Sequence, residues 1–161
     1  MTISTGDKLP DVTLVGMGES GPMQVSLADR LKGRKVVIYG MPGAFTGTCS
    51  GVHMPSVVRT ADAMRAKGVD EIMVITVNDP FVVKAWGDAT GANAAGITML
   101  GDAEGKLAEA TGMAFTAPAI GLYNRSNRFA AVVEDGVVVA TGIEKPGQCD
   151  VSTGESILGM L

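Results

Sequence analysis

Residues that carry chemistry are scarce in this sequence. Its 161 residues hold one histidine, two cysteines, one tryptophan and two tyrosines, and aromatic residues make up 4% of the chain. One imidazole and two thiols set far apart do not match a four-ligand zinc site, and two cysteines do not make the disulfide framework of a small secreted domain. No stretch nears the roughly 20 apolar residues of a membrane-spanning helix, so no membrane partner is expected. Thirteen lysines and arginines against seventeen acids give a net charge of −4. Nucleic acid is therefore not an expected partner, because neutralising phosphate calls for a basic face. The opening MTISTGDKLPDVTL lacks the basic start and apolar run of a secretory signal. A cytoplasmic location is expected, where a cysteine is free, transiently oxidised or simply buried.

What is present reads as one globular domain spanning residues 1–161. Apolar residues make up 46% and charged residues 19%, enough to bury a single core. The apolar run Val36 to Tyr39 predicts a buried strand, and a loop follows at 41–48. From Cys49 to Lys67 the spacing of Val57, Val58, Ala61 and Met64 predicts a helix stopped at Gly68, with Pro55 bending its first turns. Strands are expected at 71–77 and 97–100, and helices at 81–87 and 105–111. Phe129–Val133 and Val137–Ala140 flank Glu134-Asp135-Gly136, a tight-turn signal for a hairpin. A helix over 152–161, capped by Ser152 or Thr153, closes the chain. This order predicts an α/β, thioredoxin-like fold, a mixed central sheet with helices on both faces.

The stretch MPGAFTGTCSG at 41–51 places Cys49 where a strand has ended and a helix begins. Unpaired N–H groups and the positive end of the helix dipole favour a thiolate there. Such positions bring a cysteine from about 8.5 into the range of about 3.5 to 7.5. Thr46 and Thr48 offer hydroxyls to the thiolate or to a polar substrate, and Pro42 shields the sulfur from water. A free cysteine is also a small hydrophobe that commonly just packs. His53, four residues on, is either the partner of Cys49 or a histidine that packs and bonds a carbonyl. Trp86 and the ten methionines read as core and interface filler.

The run Pro42-Gly43-Ala44-Phe45-Thr46 up to Cys49, followed by His53-Met54-Pro55, resembles the active-site motif of peroxiredoxins of the type II, peroxiredoxin-5-like, kind. The resemblance extends to Gly6-Asp7 and Pro10, to Val77-Asn78-Asp79-Pro80-Phe81 with Trp86, and to Asn124 through Phe129 with Val132 to Gly136. It implies a thiol peroxidase for hydrogen peroxide and small alkyl hydroperoxides. Cys49 then matches the peroxidatic cysteine, Thr46 and Pro42 its companions, and Arg128 the arginine that completes the site. It implies no metal, flavin or haem cofactor, a sulfenic acid product on Cys49, and a homodimer through the face around the active-site helix. Gly47 after Thr46 departs from many members and predicts a looser loop.

The resemblance leaves the reductant open. Some type II members carry a second cysteine in the strand corresponding to Ile72–Val77, and this sequence has none there. Cys149, in the polar stretch Lys145 to Asp150, is either a resolving thiol or a surface thiol; in the second case glutathione with glutaredoxin, or thioredoxin, reduces the sulfenic acid. Two other readings stand beside this one: a cysteine hydrolase using Cys49 and His53, and a redox sensor or holdase signalling through oxidised Cys49. Arg125 is left without an assigned share in the role of Arg128.

Overall fold

Strand β3 (Lys35–Gly40) is built around the run Val36 to Tyr39, and its residues are buried on both sides, as suits the middle of a parallel sheet. The computed structural model describes residues 2–161. In it β3 runs parallel to β4 (Glu71–Thr76), and β4 parallel to β5 (Thr98–Gly101). On its other side β3 pairs antiparallel with β8 (Phe129–Glu134), and β8 with β9 (Val137–Ile143). An N-terminal hairpin, β1 (Thr13–Gly18) and β2 (Gly21–Ser26), joins the far edge through β5. The seven-stranded order is β2-β1-β5-β4-β3-β8-β9.

Because side chains alternate along a strand, the sheet has two apolar faces. Val37, Tyr39, Ile72, Val74 and Val132 meet Val57, Ala61 and Met64 of α2 (Met54–Ala66), Trp86 of α3 (Pro80–Thr90) and Ile157 of α5 (Gly154–Leu158). Val36, Ile38, Met73, Ile75 and Val133 instead meet Leu27 and Leu31 of α1 (Leu27–Leu31) and Leu107 of α4 (Lys106–Ala110). The expected mixed sheet with helices on both faces is the fold observed.

Several elements differ from expectation for local reasons. The helix expected over 49–67 is divided: a π-helical turn, Cys49–His53, precedes α2. Pro55 has no N–H, and its ring displaces the carbonyl four residues back. The backbone widens rather than bends, with Met54 N–H donating to the Cys49 carbonyl five residues away. Helix α3 is longer than expected because Asp79 caps it, accepting from Val82 N at 2.9 Å, and Gly91 ends it at φ 81°. The β8–β9 turn carries φ 48° at Asp135 and 80° at Gly136, as a two-residue hairpin requires. The last helix is shorter than expected and is capped by Thr153, not Ser152.

The sequence did not announce β1, β2 and α1, nor a small second sheet of β6 (Ala114–Ala117) and β7 (Leu122–Ser126) joined through a 3-10 turn, Pro118–Ile120. These strands are largely half-buried or exposed and lack a continuous buried apolar run. Gly142 shapes the other side of the site. A Cβ there would run into the Val151 carbonyl, so its absence lets the 145–153 loop lie back against β9.

Candidate active site

The loop after β3 is tied down by three hydrogen bonds, two to the end of β4 and the residues just after it and one to β7. Met41 N donates to the Ile75 carbonyl at 3.2 Å, Ala44 N to Asn78 Oδ1 at 3.0 Å, and Arg125 Nη1 to the Pro42 carbonyl at 3.2 Å. Phe45 is held at φ 61° with its ring exposed, a left-handed conformation that a side chain adopts only when its surroundings impose it. The helical run opens at Gly47, and its first backbone bond is Ser50 N to Thr46 O at 3.0 Å. The N–H groups of Gly47, Thr48 and Cys49 therefore stand ahead of the ladder, at the positive end of the helix.

Cys49 is buried, with 1% of its surface exposed. Arg128, the residue before β8, reaches it across the sheet end: Nη2 donates to Cys49 Sγ at 3.3 Å and Nη1 donates to His53 Nδ1 at 3.0 Å. His53 Nε2 lies 2.7 Å from the Ser152 carbonyl. A guanidinium only donates and a carbonyl only accepts, so His53 carries its proton on Nε2 and is neutral. Burial pushes its pKa down to about 4; the Ser152 carbonyl opposes that shift and the Arg128 charge adds to it. The ring also stands edge-on to Tyr39, with centroids 5.5 Å apart. Both imidazole nitrogens are occupied away from Cys49, so His53 orients the guanidinium and does not act as a base toward the sulfur.

The same network continues into the 145–153 loop. Glu144 N donates to the Arg128 carbonyl at 3.1 Å across the open end of the β8–β9 hairpin. Its Oε1 accepts from Asp150 N and Ser152 N, each at 2.7 Å, and from the Ser152 hydroxyl at 2.9 Å. Burial alone would raise the Glu144 carboxyl, but these bonds reverse the effect and hold it below the ordinary carboxylate range. Cys149 is half-buried and, like Cys49, a free thiol. Burial pushes its thiol up; the Arg128 charge opposes this, while Glu144, Cys49 and Asp150 add to it.

Of the two uses expected for the Thr46 hydroxyl, a bond to the thiolate or to a polar substrate, donation to the thiolate is not seen. Thr46 Oγ1 donates to the Gly43 carbonyl at 2.7 Å, which leaves its lone pairs as acceptors. Arg125 and Arg128 divide the work: Arg125 fixes the Pro42 carbonyl and Arg128 contacts the sulfur. Trp86 is core, as expected, but its Nε1 also donates to Ser50 Oγ at 2.9 Å, bracing the turn that carries Cys49. Ser152 and Glu144 were not anticipated; a glutamate after a strand carries no local signal that it will fold back on its own loop. An open cavity of about 600 Å³ leads to the site, lined by Pro42, Thr46 and Arg128 on one side and Phe115, Ile120 and Leu122 on the other. Among the described residues no cluster of three or more His, Cys, Asp or Glu is placed to hold a metal.

A thioredoxin-like sheet presenting a buried cysteine at a helix start against a guanidinium defines a thiol-based redox protein. The family model described as Redoxin matches residues 4–158. Peroxiredoxin-2C of Oryza sativa subsp. japonica is 41% identical over 160 residues, covering 99% of this chain and 98% of that one. Reduced Prx3 from Vibrio vulnificus, solved in complex with hydrogen peroxide, is similar with a TM-score of 0.92 and 39% identity over 99% of both chains. Peroxiredoxin 5 from Alvinella pompejana gives 0.84 and 30%, over 97% of this chain and 96% of that one. The chain belongs to the peroxiredoxins, which are thiol peroxidases, and its relatives include the type II members.

Proposed function

We propose that Cys49 is the peroxidatic nucleophile of this thiol peroxidase. The observation that carries the reading is the 3.3 Å contact between Arg128 Nη2 and the buried Cys49 sulfur. With His53 neutral, the guanidinium charge is free to stabilise a thiolate. The thiolate attacks one oxygen of hydrogen peroxide or a small alkyl hydroperoxide, the S–O bond forms, and the O–O bond breaks. The electron pair leaves with the distal oxygen, which takes up a proton and departs as water or alcohol, and Cys49 becomes a sulfenic acid. Thr46 accepts from the peroxide O–H, Pro42 keeps water off the sulfur, and the free N–H groups at the helix start together with Arg128 stabilise the charge that grows on the breaking bond.

An external thiol reduces the sulfenic acid, forming a mixed disulfide and water, and a second thiol then releases Cys49. Glutathione with glutaredoxin, or thioredoxin, supplies these thiols in the cytoplasm. Cys149 is the weaker candidate, because its thiol is pushed toward the protonated form and its loop is pinned at Asp150 and Ser152, while the attacking species in exchange is the thiolate. The working unit is a homodimer through the face around the active-site helix, a reading supported by Phe45 in the loop before it and Ile120 at the mouth of the cavity, which leave large apolar groups exposed there. Peroxide consumption with glutathione as reductant tests the scheme. Activity is expected in wild type and Cys149→Ser and absent in Cys49→Ser; activity surviving in Cys49→Ser contradicts it.

A further inference from the structure

We infer that Glu144 is a positioning residue for Cys49, acting through Ser152, His53 and Arg128. The inference rests on the peroxidase reading and extends it to a carboxylate that contacts neither sulfur nor substrate in that scheme. A single oxygen, Glu144 Oε1, gathers Asp150 N, Ser152 N and the Ser152 hydroxyl, all within 2.9 Å. Those bonds fix the Ser152 peptide, whose carbonyl accepts from His53 Nε2 at 2.7 Å. That bond selects the tautomer whose Nδ1 lone pair faces Arg128, and Nδ1 then holds one arm of the guanidinium while the other arm meets the sulfur.

Every link is buried: Ser152 and His53 are fully enclosed, and Arg128 and Glu144 nearly so. Without the clamp, the Ser152 peptide loses its bonds to the carboxylate, and the His53 tautomer is left to Arg128 alone. Arg128 also faces Glu144 through a backbone bond, so both ends of the relay lie at the open end of one hairpin. The charged and titratable groups around this unit are Arg128, Cys49 and His53 from the π-helical turn, Tyr39 of β3 edge-on to the His53 ring, Glu144 after β9, and Cys149 and Asp150 from the loop; Arg125 is turned away to Pro42.

Two roles for Glu144 predict opposite results. If it mattered only through its negative charge, that charge would disfavour the thiolate, so removing it would lower the pH midpoint of Cys49 ionisation. If it matters through position, moving the oxygen impairs the site while removing the charge in place does not. Glu144→Gln keeps an Oε1 acceptor without charge, and Glu144→Asp keeps the charge but withdraws the oxygen by one methylene.

The test measures thiolate absorbance against pH and the rate of oxidation by hydrogen peroxide in a Cys149→Ser background, so that one thiol titrates. Positioning predicts that Glu144→Asp slows oxidation at neutral pH by at least about tenfold and moves the ionisation midpoint upward by about one unit. Glu144→Gln is expected to retain most of the rate, with a midpoint no higher than the parent's. The inference is overturned if Glu144→Asp matches the parent, or if Glu144→Gln is impaired as severely as Glu144→Asp. A parent that itself reacts no faster than a free thiol overturns the peroxidase reading instead, which separates the two failures.

Discussion

Arg128 holds two neighbours at once: Nη2 lies 3.3 Å from Cys49 Sγ and Nη1 lies 3.0 Å from His53 Nδ1. The fork of the guanidinium is what allows both contacts, since a lysine presents one compact ammonium. Arg128→Lys therefore keeps the charge and loses the geometry. Loss of a charge-assisted bond of roughly 1.5 to 3 kcal/mol corresponds to a fall of about ten- to a hundredfold in the rate of Cys49 oxidation. Stopped-flow oxidation by hydrogen peroxide measures it; a rate equal to wild type would mean that charge alone suffices.

Thr46 donates to the Gly43 carbonyl and so presents an acceptor to the substrate. Thr46→Ser preserves both functions and is expected to stay within a fewfold of wild type. Thr46→Val removes the hydroxyl at nearly constant volume and is expected to slow oxidation by about tenfold or more. Equal rates in the two variants would remove the hydroxyl from the scheme.

The neutral, buried His53 links stability to pH. In the unfolded chain it takes up a proton below its ordinary value of 6.5, whereas the folded ring does so only below about 4. Between those values the unfolded state binds more protons, so the stabilisation present above pH 6.5 is lost as the pH falls toward 4. The full loss is roughly 3 kcal/mol. Urea unfolding midpoints across this window are expected to drop in wild type and to drop less in His53→Gln; parallel slopes would contradict the assignment.

Gly142 lets the 145–153 loop approach β9, because a Cβ there would meet the Val151 carbonyl. Gly142→Ala is expected to destabilise the fold by about 1–3 kcal/mol. It should also slow Cys49 oxidation, since the displaced peptide adjoins Ser152. Chemical denaturation and the oxidation rate check the two effects separately.

Cys149→Ser is expected to leave the first oxidation of Cys49 unchanged and to sustain turnover with glutathione. Intact mass of peroxide-treated wild type checks this directly. A chain lacking two hydrogens, with both cysteines consumed, would make Cys149 the resolving thiol and reverse the proposal.

The parts of the fold that buried long apolar runs were legible in the sequence. Val36 to Tyr39 and the Asp135-Gly136 turn declare themselves through local chemistry. The β1–β2 hairpin and the β6–β7 pair did not, because half-exposed strands without a continuous buried run depend on partners rather than on their own pattern. At the site, Cys49 and its loop were readable from one contiguous stretch, and Arg128 only through family resemblance. The roles of Glu144 and Ser152 arise from a loop that returns after β9, a long-range closure with no local signature. The π-helical turn could have been anticipated in part, since Pro55 announces that an ordinary helix cannot pass.

The most direct test of the account is rapid mixing of the reduced protein with hydrogen peroxide, quenched in acid and read by intact mass. The account predicts that Cys49 gains one oxygen far faster than a free thiol reacts, that Cys149→Ser does the same, and that Cys49→Ser gains none on that timescale. Oxidation of wild type no faster than a free thiol, or fast oxidation persisting in Cys49→Ser, would contradict it.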